Sequence, residues 1–167
     1  LAQQKSHAWD LEKDINWNLG IDLSKPFVAL PKDPVLFKNA GPKELLVISQ
    51  FVGLLINSTI CELENALERS KKECWENLIR KYPVSPEFIA LGEEFFKDEK
   101  KHSNAFSKFL ESFARQTNVS VMELQSILPI LDKSKIESLF RINGVVGGQA
   151  LWWVVAAVEE ESILVYK

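Results

Sequence analysis

From Ser85 to Gln116 the chain repeats its apolar residues at the spacing of one helical face, and its only proline there is the second residue, Pro86. Phe88, Gly92, Phe95, Phe96, Ser103, Phe106, Leu110 and Phe113 fall on a single stripe. Glu93, Glu94, Lys97, Asp98, Lys100 and Lys101 point sideways or outward, as solvated groups should. Ser85-Pro86 is a helix start, with a hydroxyl to cap free backbone N–H groups and a proline that needs no donor. A helix this long with one aromatic stripe must bury that stripe against other helices, which points to an all-α bundle.

The flanking punctuation agrees. Gly41-Pro42 opens a first long helix over about residues 43–69. Leu45, Leu46, Ile48, Phe51, Val52, Leu54, Leu55, Ile56 and Ile60 make it apolar nearly all round, so a central, well-buried helix is expected. Residues 72–81 read as a charged helical continuation, broken at Tyr82-Pro83-Val84. Thr117 to Val119 ends the striped helix. Ser120-Val121-Met122-Glu123 is a capping box that starts a short connecting helix to about Leu128, before Pro129. Ser134-Lys135-Ile136-Glu137 is a second capping box, from which a third long helix is expected to run to the end of the chain. No stretch alternates with period two for long enough to suggest a strand.

Residues 1–41 differ. Pro26, Pro31 and Pro34 forbid one long helix there, and Trp9, Trp17, Phe27 and Phe37 are scattered without period. The expectation is an irregular arm with a short helix near residues 10–16, pinned to the body by its aromatics. The domain division is therefore an arm over 1–41 and a helical bundle over 42–167.

With 167 residues and a net charge of −3, the chain is long enough for one full core and has no basic stripe or tail for nucleic acid or an anionic membrane. The apolar run from Leu151 to Val158 is closed by Glu159-Glu160-Glu161, and no uninterrupted apolar run reaches the length of a membrane span. The polar first ten residues do not read as a signal peptide. Cys61 and Cys74 are too far apart on a helical stretch to bridge, so a reduced, cytoplasmic protein is expected.

The stripe carries two residues that do not belong in a greasy core. Glu99 lies at its centre and His102 one turn further on. A carboxylate so placed is costly unless something pairs with it, and Glu-x-x-His on an inward helix face is the spacing by which four-helix bundles hold paired iron or manganese ions. Partners should come from the other long helices. Ser85 to Glu99 is fourteen residues, about 21 Å of helix at ~1.5 Å per residue. A like distance back from the break near Lys81 falls between Glu64 and Glu68. Glu64 shares its face with Gly53, Asn57, Ile60 and Cys61 and is preferred, with Glu62 and Glu68 as alternates. In the third helix Glu159 is preferred over Glu160. His7 lies in the arm and is expected to have no special role.

Asp98-Glu99-Lys100-Lys101-His102, the stretch from Ile56 to Glu64 and the stretch from Trp152 to Glu160 resemble the ferritin-like diiron carboxylate superfamily, and within it the p-aminobenzoate N-oxygenase-like branch. The resemblance covers roughly residues 42–167. It implies a ferritin-like bundle in which Glu64, Glu99, His102 and Glu159 ligate two iron ions, with manganese as the other candidate metal. It implies a non-haem oxygenase that takes a small organic substrate, O2 and an external electron donor, as a monomer or homodimer; an amine substrate is part of that implication. Phe95, Phe96, Phe106, Trp152 and Trp153 are then candidate pocket walls. The superfamily also supplies a second Glu-x-x-His from a fourth helix, and no histidine follows His102 here. Two further readings stand beside it: iron or manganese binding without oxygenation, and a metal-free helical interaction protein.

Overall fold

A computed structural model of the chain describes residues 9–31, 37–128, 134, 135, 138, 141 and 142. The protein is all-helical, and the described residues contain no strand. Helix α1 spans Pro42–Arg69, a π-helical turn follows at Lys72–Glu76, and α2 covers Asn77–Lys81. Helix α3 spans Pro86–Thr117 and α4 spans Val121–Ile127. The expected third long helix lies almost wholly outside the described residues, as do Glu159, Glu160, Trp152 and Trp153.

Local chemistry sets the boundaries. The Ser85 hydroxyl accepts from the Phe88 N–H, and Pro86 occupies the first turn of α3. Asn118 ends α3 in the left-handed conformation at φ 56°, one of the few non-glycine residues at ease there. At α4 the Ser120 hydroxyl accepts from the Glu123 N–H, while the Glu123 carboxylate accepts from the Ser120 N–H. The Ser120 hydroxyl also donates to that carboxylate, and this bond first, then the one from the Ser120 N–H, holds the Glu123 carboxyl below its usual range.

Helices α1 and α3 form the body and run antiparallel, since partners descend one helix as they climb the other. Lys71 meets Glu93, Glu68 meets Lys100, Glu64 meets His102, and Cys61 meets Ser103 and Ser107. Two apolar cores sit at opposite ends of this pair. Ala66, Leu67, Trp75 and Phe96 form one; Leu54, Leu110, Leu124 and Leu128 form the other, closed by α4.

The expectation of a well-buried α1 is corrected. Its buried residues are Ser49, Gly53, Leu54, Ser58, Cys61, Glu64, Ala66 and Leu67, mostly small, while Val47 and Phe51 are exposed. Small side chains on one stripe let α3 and the arm approach closely. Among the described residues α1 is also the one helix long and apolar enough to cross a membrane by length and composition, with a mean hydropathy of 1.6 over its best window. Counting only uninterrupted apolar runs overlooks it, because Ser49, Gln50, Asn57 and Ser58 interrupt the run yet barely lower the mean. A mostly buried core helix passes the same test, whereas 28 % of this window is buried; the buried Glu64 near the end of α1 favours the bundle.

The arm is not helical at residues 10–16, as the sequence had suggested. Asp10 instead accepts from the Glu12 and Lys13 N–H groups in a hydrogen-bonded turn, and Trp17–Leu19 forms a single 3-10 turn. From there the arm is a strap laid along the body. Glu12 pairs with Lys108, and Gln116 both donates to the Ile21 carbonyl and accepts from its N–H. Gln50 donates to the carbonyls of Leu23 and Lys25, and Ser49 donates to the Val28 carbonyl at 2.5 Å while accepting from its N–H. Phe27 packs edge-on against Phe109 and Phe113. A side chain at Gly53 would bring its Cβ to 2.5 Å from the Phe27 Cβ. Gly53→Ala should therefore lift the strap, costing about 1–3 kcal/mol in urea unfolding and speeding chymotryptic cleavage after Phe27. Unchanged stability and cleavage would mean that the strap does not depend on this contact.

Candidate metal centre

The middle of the α1–α3 seam carries the polar cluster. Glu64 from α1 and Glu99 with His102 from α3 each offer a ligating atom, and these atoms lie within 4.8 Å of one another. Glu64 is 8 % exposed and Glu99 only 4 %, whereas the His102 side chain keeps 37 %. The imidazole Nδ1 stands 3.7 Å from a Glu64 oxygen and 3.9 Å from a Glu99 oxygen, too long for hydrogen bonds. Two donors each ~2.1 Å from a common ion lie about 3–4 Å apart, so the spacing suits a shared cation. Two adjacent buried carboxylates repel one another in a medium of low dielectric, and a cation among them removes that cost. Two carboxylate oxygens and one neutral nitrogen form a hard-to-borderline donor set suited to iron, manganese or zinc.

Helix phase explains the convergence. Glu99 and His102 are three residues apart on α3, so both point to one side. Glu64 faces them because the small residues of α1 turn its side of the helix toward α3. The alternates are placed elsewhere. Glu68 pairs with Lys100 at 2.8 Å near the surface. Glu62 is outside the cluster, with one buried oxygen that makes no hydrogen bond among the described residues. Glu159 falls outside the described residues, so three of the four expected ligands are brought together here and the fourth has no described position. His7 is also outside them.

One neighbour is absent from any periodic reading of the sequence. Trp9, at the start of the strap, stacks on the His102 ring with centroids 5.9 Å apart and planes within 7° of parallel. The Lys101 ammonium lies 5.5 Å from the centre of the same indole. Trp9 thus flanks the imidazole, which remains 37 % exposed. Its only signal in the sequence is that it is a tryptophan in an arm without period.

Cys61 lies one turn before Glu64, near the Ser103 carbonyl at 3.6 Å and the Ser107 hydroxyl at 3.3 Å. Burial pushes its thiol pKa up, against the Ser107 hydroxyl, with the Glu62 and Glu64 charges adding to the rise. Cys61 is not among the residues whose ligating atoms converge in the cluster.

Of the aromatics expected to wall a pocket, Phe96 is core, packed with Phe95 and Trp75. Phe106 lines a chamber under the strap.

Searches against protein-family models, curated proteins and solved structures return no match to this chain. The site therefore rests on its own geometry.

Proposed function

We propose that Glu64, Glu99 and His102 hold a divalent metal ion, iron or manganese, and that the protein is a ferritin-like non-haem oxygenase acting on a small organic molecule. The observation that carries this reading is the cluster of two buried glutamates and a half-buried histidine between two antiparallel helices. Three protein donors leave coordination positions open for O2 and solvent. In the two-ion form of the proposal Glu159 supplies a further carboxylate. Iron in such a donor set supplies O2 activation, with electrons from an external reductant. The chain's own part is to hold the ion with two carboxylates, to shield it with α1 and α3, and to flank His102 with Trp9.

The test loads the full chain with ferrous iron without oxygen, then admits O2 and a reductant and follows oxygen uptake. Uptake above that of free iron is expected in the wild type, and uptake no greater than free iron in His102→Ala. Iron bound by the cluster with no uptake above free iron would replace the oxygenase reading with metal binding alone. No iron bound would leave a helical interaction protein.

A further inference from the structure

Beyond the metal cluster, a chamber of about 410 Å³ lies between the strap and α3. Ile15, Trp17 and Ile21 form its strap wall, Ala105, Phe106 and Phe109 its α3 wall, and Asn57 of α1 reaches in. Phe106 follows His102 by one helical turn, about 6 Å along the axis. The strap segment that roofs the chamber is the continuation of the one that stacks Trp9 on His102. The chamber and the cluster are thus neighbours along one seam beneath one strap.

The lining fixes the class of ligand. No charged side chain is among the lining residues, and the polar ones are neutral: Asn16, Asn57 and Ser112. The Lys108 ammonium, 5.5 Å from the centre of the Trp17 ring, is paired with Glu12, so a carboxylate or ammonium entering the chamber would lose water with no opposite charge among the lining residues to meet it. A cavity of about 150 Å³ is enough for benzene, and small-molecule pockets run from roughly 300 Å³ upward. We propose that this chamber is the substrate site and takes an uncharged, largely apolar molecule of one or two rings carrying at most a neutral hydrogen-bonding group. As an assignment of substrate this rests on the metal reading above; as an assignment of a binding site it does not.

The test uses the full chain freed of metal with EDTA and titrated calorimetrically with indole, an uncharged two-ring probe, and with indole-3-acetate, its anionic counterpart. Indole should bind with a dissociation constant below about 1 mM, and indole-3-acetate at least tenfold more weakly. Ala105→Phe, which fills the chamber, should weaken indole at least tenfold and leave unchanged a separate titration of the metal-free chain with cobalt, a spectroscopic stand-in for ferrous iron at Glu64, Glu99 and His102. Ser112→Leu serves the same purpose if Ala105→Phe does not fold. Absence of indole binding, equal affinity for the anion, or full indole affinity in the filled variant would overturn the assignment. Indole binding without cobalt binding would remove the metal reading alone and leave the chamber in place.

Discussion

Replacing Trp75 by alanine should cost about 3–5 kcal/mol of folding stability, the range for deleting a large buried aromatic. Trp75 is 2 % exposed and sits in the π-helical turn between α1 and α2. That turn holds an extra residue per loop of helix, which turns the indole onto α3. The ring packs on Phe88 and Phe96, and Gly92 lets it lie flat on the helix: a Cβ there would come within 2.0 Å of the indole. Its Nε1 donates to Glu93, whose carboxyl is held below its usual range chiefly by Lys71. Alanine removes the ring and the hydrogen bond together. Urea unfolding followed by circular dichroism reads the cost. A loss under ~1 kcal/mol would show that this end of the bundle is held by something else. Because domains of this size hold only about 5–15 kcal/mol in all, the expected loss is a large share of the total.

Glu99→Leu should move stability and metal affinity in opposite directions. Glu99 is 4 % exposed on the stripe that also carries Phe95, Phe96 and Ser103. Without metal, leucine removes one of two adjacent buried carboxylates that repel each other in the cluster. In EDTA the variant should therefore be at least as stable as the wild type. Loss of an outer-shell partner already weakens metal sites ~10–100-fold, so loss of a direct ligand should weaken cobalt binding by about 100-fold or more. A variant that is both destabilised and unchanged in cobalt affinity would mean that Glu99 serves the fold and not a cation.

Much of this architecture was legible because helices advertise themselves by phase. The Ser85-Pro86 start and the aromatic stripe located α3, and Glu99 and His102 stood out as polar groups on that stripe. Antiparallel register placed the partner between Glu64 and Glu68, the face shared with Gly53, Asn57, Ile60 and Cys61 favoured Glu64, and α3 does meet α1 at that height. Three features escaped. The π-helical turn changes the phase by a fraction of a turn, which no apolar repeat over ten residues records. The exposure of Val47 and Phe51 on α1 depends on which neighbours pack there, and an all-apolar surface carries no mark of direction. The strap is held by Gln116, Gln50 and Ser49 reaching backbone groups more than twenty residues away, and such contacts leave no periodic trace. Trp9 over His102 belongs to that last class.

The most direct measurement is anaerobic equilibrium dialysis of the full chain against ferrous ion, with bound metal determined for the wild type, Glu64→Ala and His102→Ala. The wild type should retain iron stoichiometrically, and each variant should lose it at the same free concentration, because in the proposed site the two residues would offer ligand atoms to one ion from different helices. Iron retained undiminished by both variants would contradict a metal centre in the α1–α3 seam.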